Sequence, residues 1–359
     1  MKKLTCVDLF CGAGGFSYGL KQNQIEVVLA NEIENDFSKT FSFNHPNTKV
    51  ITDDIHNIDF KKELKSINCK DIDILCGGPP CQGFSTVGSK KKKDKRNSLF
   101  WEFLRGVKTI EPKAIIFENV SGFKNLYDGI VYETLIEELE KIGYKVFSDI
   151  LDAVNYGLPQ HRKRTIIVGL ANNSQFEFPQ KKYNKTNTLF DNEYFNIMSA
   201  ISDLPPLNSG EEKKKYLSEP KNEYQKQMRK GIEILTEHNC SNYGERMKKI
   251  LSIIPMNGSV NDLPSDLKPK SYFNNVYARL DPALPSPTIT RNFGTPSSSR
   301  CIHPYQNRAL STREGARLQG FPDDYVFFGS KVKKNLQIGN AVPPILGEII
   351  GLQIRKSLT

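Results

Sequence analysis

What most constrains the fold is the regular alternation, over the first 170 residues, of short apolar runs with segments of helical period. Leu4–Phe10 is an apolar run that ends in a glycine-rich turn, and a helix is expected to follow through about Gln22. Glu26–Ala30 reads as a second strand, with a helix over about Glu34–Phe43 behind it. Ile72–Cys76 and Ala114–Phe117 are short runs of β-branched and apolar residues, as expected of a parallel sheet covered on both faces. Val131, Leu135, Ile136, Leu139 and Ile142 recur at helical spacing, and Lys145–Leu151 with Thr165–Leu170 reads as a closing strand pair. Strand and helix in this order predict an α/β, doubly wound sheet whose ligands bind at the carboxyl ends of its strands.

Beyond Leu170 the texture changes. Residues 171–275 are rich in Asn, Lys, Ser and Tyr and are broken by Pro205, Pro206, Pro220, Pro255 and Pro264; one helix is expected, around Asn222–Thr236. This block reads as a separate, loop-rich module inserted into the α/β frame, and helical periodicity returns from Pro344 to about Lys356. The length suits one large domain and a smaller one. No apolar run reaches the span of a bilayer, so no membrane partner is expected. Neither is a leader peptide, because the first residues run straight into a strand. Seven scattered cysteines indicate reduced thiols and a cytoplasmic location. The net charge is +10 and is concentrated in two places. Lys90–Lys108 holds eight basic residues against Asp94 and Glu102, and Arg279–Arg317 holds six arginines against Asp281 and Glu314. Such segments suit a polyanion, although Lys90–Lys93 fits a solvated lysine-rich surface equally well.

Three clusters carry chemistry. The first turn places Gly12, Gly14 and Gly15 between a strand and a helix, and Glu32 follows at the end of the second strand, suitably placed for ribose hydroxyls. That pattern fits a nicotinamide, a flavin or a sulfonium nucleoside cofactor about equally, or a purely structural turn. The second cluster is Asp73–Ser85, where Gly77-Gly78-Pro79-Pro80 displays Cys81 at a strand end. Two prolines stiffen the backbone before a thiol, as expected of a sulfur that must be aimed, and thiolate is the reactive form. A small buried cysteine is the commoner fate, and it suits Cys69 and Cys76 better. No Cys or His companions are present for a metal, so none is expected. The third cluster is Glu118 at the end of a buried strand, with Arg162 and Arg164 two apart and on one face if that segment is extended.

Taken in order, Asp8–Phe16, Gly77–Ser85, Glu118–Val120, Gln160–Arg164, Arg308–Phe321 and Gln337–Pro344 resemble the motif set of the DNA (cytosine-5)-methyltransferases of the bacterial modification type. The resemblance covers about 1–170 and 277–359, and the intervening block sits where that family keeps its variable target-recognition region. It implies a Rossmann-like methyltransferase fold binding S-adenosyl-L-methionine. The catalytic and cofactor domain would be 1–175, the target-recognition domain 176–315, and 316–359 would return to the catalytic domain. Also implied are double-stranded DNA as partner, a cognate restriction endonuclease acting on the same site, and a monomer.

By the same resemblance Cys81 adds to carbon 6 of a flipped cytosine, and Glu118 holds or supplies a proton at N3. Arg164 binds the carbonyl oxygen at position 2, while Arg162 orients the acid and the DNA backbone. The Lys90–Arg96 stretch clamps phosphates. Around the cofactor, Phe10 stacks on adenine beside Gly12, Gly14 and Gly15, Glu32 with Ile33 takes the ribose side, and Asp54 with Ile55 flanks the base. Pro80, Leu99, Asn340 and Val342 line the remainder. Three rivals differ in what they leave unexplained. A tRNA methyltransferase would carry Cys-Phe-Thr, but the downstream cysteines read Cys240-Ser-Asn and Cys301-Ile-His. An oxidoreductase leaves Cys81, Glu118 and Arg164 idle. A binding module without catalysis would be expected to lack Cys81 or Glu118.

Overall fold

A strand buried on both faces must lie inside a covered sheet, and β1 (Leu4–Leu9), with Cys6, Val7 and Leu9 inaccessible, is such a strand. The computed structural model describes residues 3–69, 71–80, 99–172, 174–184, 192–298 and 300–359. From β1 the chain passes through α1 (Gly15–Lys21), β2 (Ile25–Asn31), α2 (Asn35–Asn44), β3 (Lys49–Ile51), α3 (Phe60–Ser66) and β4 (Ile74–Gly77). It continues with α4 (Leu99–Ile110), β5 (Ala114–Val120), α5 (Ile130–Lys141), β6 (Lys145–Asp152) and β7 (Lys163–Leu170). The sheet order is β3-β2-β1-β4-β5-β7-β6. β1 to β5 are parallel, whereas β7 runs antiparallel to both β5 and β6. This is the expected doubly wound α/β sheet. Its order reverses between β1 and β4, which opens a crevice at their carboxyl ends.

One face of the sheet is sealed by the helices that follow β3, β4 and β5. Phe100, Phe103, Leu104 and Val107 recur along α4 at spacings of three and four, so they form one apolar stripe. That stripe packs with Leu9, Leu75, Phe117 and the α5 residues Leu135 and Leu139 into a continuous core. Burial of this kind contributes about 25 cal/mol per Å² of apolar surface removed from water.

The chain divides into two compact units. One comprises residues 1–152, 163–180 and 344–359, and the other 153–162 and 181–343. The breaks therefore fall at different places from the expected 175 and 315, and residues 316–343 cluster with the inserted block. The second unit carries α6 (Ile197–Ile201), α7 (Glu223–Arg229), α8 (Glu245–Ile253), α9 (Thr312–Leu318) and α10 (Lys331–Asn340). α7 stops well short of the expected Thr236, because Lys230 and Gly231 turn left-handed (φ 46° and 79°) and end the helix. No helix was expected at α8; it forms over a small satellite core of Ile250, Leu251, Ile254, Val260, Leu263 and Tyr277.

α11 (Pro344–Leu358) returns to the first unit and crosses α1. The crossing is close because glycines meet there: a Cβ on Gly19 would lie 2.5 Å from the Glu348 amide nitrogen and 2.9 Å from the Gly347 carbonyl carbon. Among the described residues no helix is long and apolar enough to cross a membrane. Gly19→Ala should therefore force the two helices apart and cost about 1–3 kcal/mol. Urea denaturation measures this as a lowered midpoint, and a midpoint equal to that of the unaltered chain would show that the crossing has room for a methyl group.

Candidate active site

The glycine-rich turn leaves β1 through a left-handed Phe10 (φ 59°), a conformation that costs a bulky residue of order 1 kcal/mol and marks a backbone held for a purpose. Gly12 and Gly14 are left-handed as well, and a Cβ on Gly12 would meet nothing within 4 Å, so the turn faces open space. Glu32, at the end of β2, ties this turn to the next: its carboxylate accepts from the Gly12 amide at 2.9 Å and from the Glu34 amide at 2.9 Å. Burial pushes the Glu32 carboxyl up, with these amides pulling the other way. Each carboxylate oxygen keeps a further lone pair for an incoming hydroxyl. Ile33 beside it is 63% exposed, a large apolar side chain presented to solvent.

The other expected cofactor residues divide. Pro80 is exposed and Leu99 half-buried at the start of α4. Asp54 uses its carboxylate to accept from the His56 amide at 3.1 Å and to pair with the His56 ring at 2.6 Å. Ile55 belongs to the core, so its side chain does not present the flank that was expected of it; its carbonyl accepts from Arg105. Asn340 is exposed and Val342 half-buried in the second unit.

At the carboxyl ends of β4 and β5 the chemistry converges. Glu118 is opposite Ile166 in the antiparallel β5–β7 ladder, and Arg164 lies two residues from Ile166. The two side chains are thus diagonal neighbours on one face. Arg164 Nε meets Glu118 Oε1 at 2.7 Å, with both side chains largely shielded from water. The turn after β4 presses on the same acid: a Cβ on Gly78 would sit 2.7 Å from Glu118 Oε2. Asn119 fastens that turn by donating to the Pro79 carbonyl at 3.0 Å. Only glycine at 78 lets the turn approach the carboxylate so closely. Cys81, next in sequence after Pro80, and the Lys90–Arg96 stretch lie outside the described residues.

Arg162 precedes the strand that carries Arg164. β7 begins at Lys163, so the extended segment that would have put both arginines on one face is not formed at 162. Arg162 is 1% exposed within the second unit, and its guanidinium donates to the carbonyls of Ile289 (3.1 Å), Gly339 (2.8 Å) and Ala341 (2.8 Å). A phosphate cannot reach a group so enclosed, so the expected contact with the DNA backbone is not made by this residue.

The second basic segment, expected to face a polyanion, is mostly closed off by burial too. Arg279, Arg308, Arg313 and Arg317 are buried. Arg308 forms a two-pronged pair with Glu314 at 2.7 Å and 2.7 Å, and Arg317 bridges Asp203 and Asp323. Burial alone would raise Glu314, but the Arg308 charge and hydrogen bonds outweigh it and hold the carboxyl below its usual range. Of the six arginines, Arg291 and Arg300 remain exposed.

One carboxyl that sequence reading passed over stands under the glycine turn. Asp8 is 4% exposed, accepts from the Ser17 hydroxyl, and is pushed up to about 7 by burial, against the pull of Ser17 and Cys76. A carboxyl raised in the fold stabilises it fully below its unfolded value near 4, and that contribution is lost as pH climbs through about 7. Raising the pH from 5.5 to 8 should therefore lower the urea midpoint more in the unaltered chain than in Asp8→Asn. Equal pH dependence in the two would mean that Asp8 titrates normally.

The family description "C-5 cytosine-specific DNA methylase" matches residues 4–356. The chain is 38% identical to the type II methyltransferase M.DdeI of Desulfomicrobium norvegicum, over 98% of this chain and 88% of that one. It is 34% identical to the type II methyltransferase M1.HphI of Haemophilus parahaemolyticus, over 99% and 88%. In fold it matches a crystal structure from an E. coli prophage, described as a DNA modification methyltransferase, with TM-score 0.79 at 24% identity and 99% coverage of both chains. A methyltransferase of Entamoeba histolytica matches with TM-score 0.64 at 17% identity, covering 100% of each. The chain that carries this glycine turn and this Glu118–Arg164 pair belongs to the C-5 cytosine-specific DNA methylase family.

Proposed function

We propose that the protein transfers a methyl group from S-adenosyl-L-methionine to carbon 5 of a cytosine flipped out of a specific duplex DNA sequence. The observation that carries this reading is the Glu118–Arg164 pair beside the turn that leads to Cys81. Carbon 5 of cytosine is a poor nucleophile, and activating it takes a nucleophile at carbon 6 together with a proton source at N3. The Cys81 thiolate would bond to carbon 6 as the 5,6 double bond opens toward carbon 5. Glu118 delivers or holds the proton at N3, so negative charge does not build on the ring. Arg164, fixed by Glu118, has donors left for the carbonyl oxygen at position 2. Once carbon 5 is methylated, its proton leaves to a base and the sulfur–carbon bond breaks, which restores both the ring and the thiolate.

The residues at the glycine turn suit the cofactor. Glu32 offers acceptors to ribose hydroxyls, Ile33 an apolar face to the base, and Gly12 an open approach. When bound, S-adenosyl-L-methionine supplies an electrophilic methyl on a sulfonium. The backbone of Phe10–Gly15 and the carboxylate of Glu32 then serve to hold and orient it, with Pro80 and Leu99 of the same unit around the remainder. The catalytic unit is engaged with cytosine and cofactor, so we assign the reading of neighbouring bases to about residues 176–300, nearly all of which belong to the second unit. The Lys90–Arg96 stretch supplies positive charge for phosphates. The relatives' type II naming supports a protein that protects sites against a cognate endonuclease, and we take it to act in the cytoplasm as a monomer.

Cys81→Ser should abolish methyl transfer, by at least about 10³-fold, while DNA binding persists. DNA carrying 5-fluorocytosine at the target should trap the unaltered enzyme covalently, because fluorine cannot leave as a proton does. Adducts resolved by denaturing electrophoresis decide the point. Trapping by Cys81→Ser, or none by the unaltered enzyme, removes Cys81 from the mechanism.

A further inference from the structure

The buried neighbours of Arg162 suggest a further purpose for it. Residues 159–162 run beside 286–289: Ser286 donates to the Pro159 carbonyl at 2.9 Å and receives the His161 amide at 2.8 Å. Thr288 Oγ1 donates to the His161 carbonyl at 2.6 Å. Ile289 is then held at both ends of its backbone. Its amide donates to Gln160 Oε1 at 3.0 Å, and its carbonyl accepts from Arg162 at 3.1 Å. Gln160 is itself fixed by donating to the Leu318 carbonyl and to Gln319 Oε1 at 2.9 and 2.8 Å, and Gln319 donates to the same Ala341 carbonyl that Arg162 binds. Four residues on, Phe293 is fully buried, and its ring lies where any side chain at Gly315 would have to go. Between these anchors Thr290, Arg291 and Asn292 are exposed, turned by a bond from the Phe293 amide to the Thr290 carbonyl at 3.1 Å. From below, Gly339 lies so close that a Cβ on it would be 2.6 Å from the Arg291 Cα.

We propose that Arg162 is a specificity-positioning residue: with Gln160 it clamps Ile289, so that Thr290, Arg291 and Asn292 stand as a fixed turn that reads base edges of the recognised sequence. The proposal rests on the reading of the second unit as the part that recognises sequence. Hydroxyl, guanidinium and carboxamide are the groups that distinguish bases in the major groove, and a two-pronged guanidinium contact favours guanine. Such contacts discriminate only when their backbone is fixed to a fraction of an ångström. A guanidinium satisfies three carbonyls because its donors are splayed in a plane; an ammonium cannot reproduce that fork.

The test measures methyl transfer from tritiated S-adenosyl-L-methionine to duplexes carrying the enzyme's own site and each single-base variant of it. Arg162→Lys is expected to narrow the ratio of kcat/KM between own and variant sites roughly tenfold or more. Its loss on the own site should appear mainly in KM, whereas Arg164→Lys should lose kcat and keep the ratio. Should Arg162→Lys fail to fold, as judged by thermal unfolding, Gly339→Ala displaces the turn from the opposite side and should narrow the ratio too. If the folded variants discriminate as well as the unaltered enzyme, or if Arg162→Lys loses kcat alone, the proposal is overturned. An unaltered enzyme that methylates DNA without discriminating overturns the reading of the second unit, and this proposal with it.

Discussion

The antiparallel pairing of β5 with β7 is the constraint on which the site depends. In a wholly parallel sheet the residues after β7 would emerge at the same end as Glu118, and Arg164, at the beginning of that strand, would lie at the far end. Reversing β7 brings its first residues to the carboxyl end of β5, and the register sets Arg164 diagonally across from Glu118. The resulting pair, at 2.7 Å and largely out of water, is a charge-assisted contact. Removing either partner would cost the other a charge-assisted hydrogen bond, about 1–3 kcal/mol. The topology thus produces an oriented acid and a fixed guanidinium together, at the edge of the crevice that the parallel strands open.

A second consequence concerns the turn after β4. Gly78 places backbone where any side chain would collide with Glu118, and the Asn119 amide group locks that backbone through the Pro79 carbonyl. Acid and turn are therefore positioned by adjacent strands of one rigid sheet and not by a flexible loop. This matters because catalytic groups lose effectiveness with displacements of about 1 Å. On the opposite side of β1 the same sheet supplies the glycine turn, with Asp8 buried beneath it and Glu32 fastening it to β2.

How much of this could be read from sequence varied with the range of the interactions involved. The sheet was legible because Ile74–Gly77 and Ala114–Val120 are short, β-branched and apolar, and because they alternate with helical periods. Glu118 and Arg164 were legible as residues at strand ends, although only the strand register brings them together. The burial of Arg162 was not legible because its environment is made by residues 127 to 179 positions away, which no local pattern announces. The arginines between 279 and 317 were misread for a related reason: charge counted along a chain cannot distinguish a solvated guanidinium from one closed over a carboxylate, as Arg308 is over Glu314. In α7 the expected helix was cut short by two left-handed residues, and α8 escaped notice because only part of one face is buried.

The central claim is that the acid–guanidinium pair beside the Gly-Pro-Pro turn activates cytosine within a defined sequence. It is tested most directly in a host without cytosine methylation that expresses either the unaltered chain or Glu118→Gln, by bisulfite sequencing of the host DNA. The account predicts cytosines protected at one recurring sequence with the unaltered chain, and that protection lost or reduced at least about 10²-fold with Glu118→Gln. No protected cytosines with the unaltered chain, or undiminished protection with Glu118→Gln, would contradict it.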